Sequence, residues 1–133
     1  MNNIIKVSLM IAGGLNVLFL IFHAVFLQPA YQSEASAISA DCQTLNLGAI
    51  LMVGMMAYFT LFRARELVEV SMGKPLLIVF SLFYLVRIAA EFIFYGYQGL
   101  LSLIIVALCA VPALIYLYPL IRTYPTRKYD AAR

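Results

Sequence analysis

"SLFYLVRIAAEFIFYGYQ", residues 81–98, is apolar enough for the interior of a bilayer except at Arg87 and Glu91. On insertion scales each of those side chains costs about 2.5–3.5 kcal/mol at mid-membrane, so a chain that keeps both must give them partners or a task. Whether the stretch is a transmembrane helix is decided by its surroundings. Of 133 residues 65% are hydrophobic and 11% charged, with a mean hydropathy of +0.97. That leaves too little polar surface to cover a soluble globule of this size.

The expected architecture is therefore all-α, a four-helix transmembrane bundle forming a single integral membrane domain over 1–133. Its spans are placed at about 4–27, 45–63, 75–97 and 100–121, each reaching or nearly reaching the ~20 residues that cross a hydrocarbon core. A barrel would instead show short alternating segments. The first run mimics a signal peptide, with Lys6 ahead of it and "SEASA" at 33–37. Its apolar part is longer than an h-region, so it is read as a retained first span.

Orientation follows from the basic residues. With the N-terminus inside, Lys6, Arg63, Arg65, Lys74, Arg122, Arg127, Lys128 and Arg133 all fall on the cytoplasmic side and none falls outside. The expectation is that both termini are cytoplasmic, in the inner membrane of a bacterium. The net charge of +3 is accounted for by this bias, so no nucleic-acid partner is called for. The tail "RTYPTRKYDAAR" reads as a solvated segment beside anionic headgroups.

The connection "QPAYQSEASAISADCQT", 28–44, reads as an outer loop, because its small polar residues and Pro29 argue against a continuous helix. Ser39 or Asp41 is the expected cap of the second helix, and Pro75 suits the first turn of the third. "RARELVEVSMGK", 63–74, reads as a continuation of the second helix that Gly73 stops. Pro112 is a candidate kink in the fourth. Cys42 in the outer loop and Cys109 within the fourth span lie at different depths and are not expected to pair. Cys109 reads as a small core residue, and a Cys42 bridge between protomers stays open.

Depth and helical phase gather the polar residues. His23 lies ~6 Å and Asn16 ~16 Å below the outer surface on the first helix; Glu91 lies ~9 Å and Arg87 ~15 Å below it on the third. Asn46 opens the second helix at the upper level. Residues spaced by three, four or seven share a face. This aligns Gly13, Asn16, Leu20 and His23; Asn46, Ala49, Val53, Ala57 and Thr60; Tyr84, Arg87, Glu91, Tyr95 and Gln98; and Ser102, Cys109 and Tyr116. One polar stripe per helix is the pattern of a bundle with a partly polar interior.

Arg87 and Glu91 are read either as an i,i+4 ion pair that neutralises itself or as a proton or ligand site opening outward. His23 is either a packing residue or a ligand oriented by Glu91. The residues present do not make a zinc site, and bis-histidine haem would need two chains. Tyrosines 31, 95, 97, 116, 118 and 124 read chiefly as interface anchors, with Tyr84 deeper and hydrogen-bonded in the core.

"NVLFLIFHAVF" (16–26), "CQTLNLGAILM" (42–52) and "SMGKPLLIVFSLFYLVRIAAEFIFYG" (71–96) together resemble small bacterial four-span inner-membrane proteins with a histidine in span one, Q-x-x-N opening span two and an arginine in span three. The resemblance implies no activity.

Three function classes fit. The first is a membrane protein with an outward-facing polar pocket built from His23, Asn46, Arg87, Glu91, Asn16 and Tyr84, binding or passing a small ligand or proton. The second is a structural or accessory subunit of a larger membrane assembly, or a homo-oligomer, whose buried ion pair only fixes helix packing. The third, an enzyme acting on lipid, lacks any nucleophile motif, metal cluster or phosphate loop. No catalytic residue, metal ligand set or cofactor is assigned; the one certain partner of such a chain is the lipid bilayer.

Overall fold

The computed structural model describes residues 2–32 and 37–130, and the side chains of 2–25, 43–94 and 96–122. The described chain is helical throughout: α1 (Asn3–Gln32), α2 (Ala37–Phe62), α3 (Ala64–Glu69), α4 (Gly73–Ala90) and α5 (Leu100–Asp130), with one π-helical turn, Glu91–Tyr95, continuing α4. Four windows are long and apolar enough to cross a membrane: Asn3–Val25, Gln43–Phe62, Gly73–Phe94 and Leu100–Arg122. They follow one another along the chain and run antiparallel, leaving a loop end, where 96–99 joins the third and fourth, and an α3 end.

Helix α1 packs along α2 and α4 along α5, while α1 also meets α5 and so joins the two hairpins. The core between them is made by Leu9, Ala12, Met56, Leu77, Phe80, Tyr84, Ala113 and Tyr116. Only 22–28% of each apolar window is buried inside the bundle. The remainder, with Leu18, Leu51, Val86, Ile93 and Leu114 exposed, is a surface suited to hydrocarbon rather than water.

Two glycines set close approaches. A Cβ at Gly13 would lie 2.5 Å from Leu61 Cδ2 and 3.1 Å from Thr60 Oγ1, so the missing side chain lets α1 sit tightly on α2. A Cβ at Gly73 would lie 2.0 Å from the Leu67 carbonyl oxygen, which brings α3 against the start of α4.

Several local expectations are corrected. The 28–44 connection is not an extended loop: α1 runs through Pro29 to Gln32 and α2 has begun by Ala37. Proline near a helix end costs one backbone hydrogen bond, and the Ala-rich stretch after it has good helix propensity. Ser39 and Asp41 therefore lie inside α2 and do not cap it. The second helix breaks at Arg63 before the short α3, and Gly73 opens α4 instead of ending a helix, with Pro75 in its first turn as expected. The tail stays helical to Asp130, and α5 passes through Pro112 and Pro119, both buried. Tyrosines 31, 95 and 124, the Cys42 thiol and the basic tail side chains lie outside the described side chains.

Candidate functional site

While buried Ser81 separately donates to the Ala113 carbonyl at 3.1 Å, the side-chain to side-chain hydrogen bonds of the spans form three groups among the described residues. The deepest is centred on Asn16, fully buried on α1. Its Nδ2 donates to the Tyr116 hydroxyl on α5 at 2.6 Å, and its Oδ1 accepts from the Tyr84 hydroxyl on α4. The Thr60 hydroxyl of α2 interacts with the Tyr116 phenol and donates to the Met56 carbonyl at 2.6 Å. One buried network thus touches all four spans. In an apolar interior each of these groups is costly unless paired, so the network holds the spans in register.

Tyr116 overturns its reading as an interface anchor. By rise alone its Cα is ~24 Å from the start of α5. However, helical side chains lean toward their own N-terminus, so Tyr116 reaches toward the loop end while Asn16 and Tyr84, on helices of opposite direction, reach away from it. Their functional groups meet although their Cα levels differ. The signal that placed Tyr116 here was its seven-residue spacing from Cys109 and Cys109's from Ser102; Cys109 itself is buried in the core.

The second group is Arg87, Glu91 and Ser102. Arg87 Nη1 donates to Glu91 Oε2 at 2.9 Å, and the Ser102 hydroxyl donates to Glu91 Oε1 at 2.9 Å. Ser102 in turn accepts from the Gln98 backbone N–H at 2.9 Å. The turn that makes this contact depends on Gly96 and Gly99, with φ of +70° and +65°, a left-handed conformation that side-chain-bearing residues resist. Both carboxylate oxygens of Glu91 are taken, and its side chain is 3% exposed, against 38% for Arg87. The π turn begins at Glu91 itself. Such turns insert a residue into the α-helical register and occur often at functional sites.

The third group is His23 and Asn46, both half-buried. His23 Nδ1 and Asn46 Oδ1 are 2.6 Å apart, and Asn46 Nδ2 donates to the His23 carbonyl at 3.0 Å. Because the amide nitrogen is committed to that carbonyl, its oxygen must face the ring, so Nδ1 carries the proton. The Phe22 ring meets the imidazole edge-on, with centroids 5.8 Å apart.

All six site candidates are thus engaged in pairs: Asn16 with Tyr84, His23 with Asn46, and Arg87 with Glu91. Among the described residues no hydrogen bond or ion pair joins His23 to Glu91, and none holds three or more metal-ligating side chains together. Sequence reasoning placed Ser102 and Thr60 on the right stripes without identifying what each would bond.

These features define a small all-helical protein with four membrane-compatible helices and a layered polar interior. Comparison with known proteins gives no match: no family model, no curated protein and no solved structure is recognisably similar to this chain.

Proposed function

We propose that the chain is a multi-pass membrane protein with both termini cytoplasmic, and that its loop end carries a polar site for a small membrane-borne ligand. The observation that carries the reading is the Asn16–Tyr84 hydrogen bond, reinforced by the Phe19–Tyr84 ring contact at 5.8 Å. It fixes the register of two parallel-running spans. Seven residues beyond Asn16 on the same face stands His23; three and seven beyond Tyr84 stand Arg87 and Glu91. The half-exposed groups are His23, Asn46 and Arg87, with Glu91 buried behind the arginine.

In this reading Arg87 contacts the ligand, and Glu91, saturated by Arg87 and Ser102, positions the guanidinium instead of binding or carrying a proton itself. Native mass spectrometry of protein released from its host membrane tests the proposal. A small molecule retained by the wild type and lost from Arg87→Met supports it; identical bare spectra for both count against it.

The second reading, a structural subunit whose polar groups only fix packing, is favoured by the completeness of pairing at Asn16 and Glu91. It is supported if Arg87→Met impairs stability alone.

A further inference from the structure

The two ends of the bundle share an apolar rim but differ in charge. Val25, Leu45, Phe94 and Leu100 are exposed at the loop end, as are Ile4, Phe62, Met72 and Ile121 at the α3 end. At the α3 end every membrane-compatible window has a lysine or arginine within three residues of its boundary: Lys6, Arg63, Lys74 and Arg122. At the loop end, among the described side chains, the nearest such residue is Arg87, seven residues inside Phe94 and bound to Glu91.

Carboxylates neutralise only part of this ring of cations. Glu66 and Glu69 lie on α3 and pair there, with Arg63 at 2.6 Å and Arg65 at 2.7 Å. Among the described side chains of this end there are five basic groups and two carboxylates. Lys6 and Arg122 are exposed, and neither pairs with a carboxylate among the described residues. We propose that the α3 end binds anionic phospholipid, its phosphate oxygens accepting from Lys6 and Arg122 while the acyl chains lie along the spans that carry them. The proposal rests on the membrane-spanning reading above and is independent of the loop-end site.

The partner is chosen by what lies around each cation. Met10 on α1 and Tyr118 on α5 stand one turn deeper than Lys6 and Arg122 and on the same faces; Met10 is exposed and Tyr118 half-buried. A ligand there meets positive charge at its head and apolar surface below it. Inorganic phosphate would leave the apolar part unmatched, and a phosphatidylcholine head brings its own cation into a region of excess positive charge. Lysine and arginine stems also reach headgroup level from the last turns of a span. Each cation beside a membrane surface favours acidic lipid by about fivefold.

Native mass spectrometry of the purified chain in detergent, titrated separately with dioleoyl phosphatidylglycerol and dioleoyl phosphatidylcholine, reads the preference. Phosphatidylglycerol should be retained at the lower concentration. Lys6→Gln and Arg122→Gln should each weaken its binding by about fivefold and leave phosphatidylcholine binding unchanged. Lys6→Arg and Arg122→Lys, which keep the charge, should keep the preference. Equal binding of the two lipids by the wild type, or a preference that survives in the Lys6→Gln/Arg122→Gln double variant, overturns the proposal. Displacement of phosphatidylglycerol by inorganic phosphate also overturns it, because the site would then recognise a soluble anion.

Alkaline carbonate extraction from phosphatidylcholine vesicles separates this proposal from the reading it rests on. Release of the chain into the soluble fraction overturns the membrane-spanning reading and the lipid proposal together. Retention in the vesicles without a lipid preference overturns the lipid proposal alone.

Discussion

Ser102 donates its hydroxyl to Glu91 Oε1 at 2.9 Å across the turn that joins the third and fourth spans. The contact changes what the Arg87–Glu91 pair means. A carboxylate answered by arginine alone would keep acceptor capacity for a ligand or proton; here a second donor from the next helix completes it. The pair also differs in exposure, 38% for Arg87 and 3% for Glu91, so its two members are not equivalent under mutation.

Arg87→Met leaves a buried carboxylate facing a single hydroxyl, whereas Glu91→Gln keeps an amide oxygen that can still accept from the 38% exposed guanidinium. The first should cost about 3 kcal/mol and the second clearly less, with the double variant more stable than Arg87→Met alone. Unfolding of the purified protein in mixed micelles measures all three. Equal losses for the two singles would contradict the asymmetry of burial.

The Asn16 network should respond in a graded way. Tyr84→Phe or Tyr116→Phe each removes one hydrogen bond to Asn16, costing about 0.6–1.7 kcal/mol on the membrane-protein scale. Asn16→Leu takes the Asn16 partner from both phenols at once, leaving Tyr116 only Thr60, and should cost more than either. Adding both Tyr→Phe changes to Asn16→Leu should restore part of the loss, because no buried polar group is then left unpaired. Non-recovery in the triple variant would show that shape, not hydrogen bonding, holds the centre.

Four helices long and apolar enough to cross a membrane were legible in the sequence, because length and hydropathy are read directly from it. Expected runs at 4–27, 45–63, 75–97 and 100–121 stand beside observed windows Asn3–Val25, Gln43–Phe62, Gly73–Phe94 and Leu100–Arg122. Stripe periodicity also collected most of the polar groups that meet. What escaped was whatever depends on the third dimension. Tyr116 was assigned by Cα depth, which ignores the reach of a long side chain along its helix. The π turn at Glu91 leaves no compositional mark, and Ser102 found Glu91 only because Gly96 and Gly99 fold the chain back at that point. The helical 37–44 segment was misread because polar side chains were weighed above the helix propensity of its alanines.

The two tight glycines should differ in cost. At Gly13 the nearest obstacle is the Leu61 side chain, half-buried and able to swing aside; at Gly73 it is the Leu67 backbone carbonyl, which cannot. Both Ala variants fall in the ~1–3 kcal/mol range of overpacking, with Gly73→Ala at its upper end and Gly13→Ala at its lower. Thermal unfolding of the two variants side by side checks the order, and a reversal would mean that α3 yields more readily than the α1–α2 contact.

Topology can be measured by labelling Met72→Cys, a 69% exposed position between α3 and α4. With both termini cytoplasmic, an impermeant thiol reagent applied to intact cells should not reach it, whereas Cys42, between the first two spans on the other side, should react and serves as the internal control. Labelling at position 72 without permeabilisation would invert the assignment.

The α3 segment offers a pH test away from the membrane. Arg65 Nε donates to Glu69 Oε2 at 2.7 Å, and that hydrogen bond, the largest cause, holds the Glu69 carboxyl below its ordinary value of 4.5. Folding therefore favours the ionised form. The stabilisation is present above the unfolded-state value and is lost as pH falls through the lower folded one. The arginines titrate far above this range and contribute no slope. Amide hydrogen exchange across α3, corrected for intrinsic pH dependence, should lose protection as pH drops from about 5 to about 3. Arg65→Gln should flatten that dependence, and high salt should weaken it, since the pair is largely exposed. A pH response unchanged in Arg65→Gln would assign it to another carboxylate.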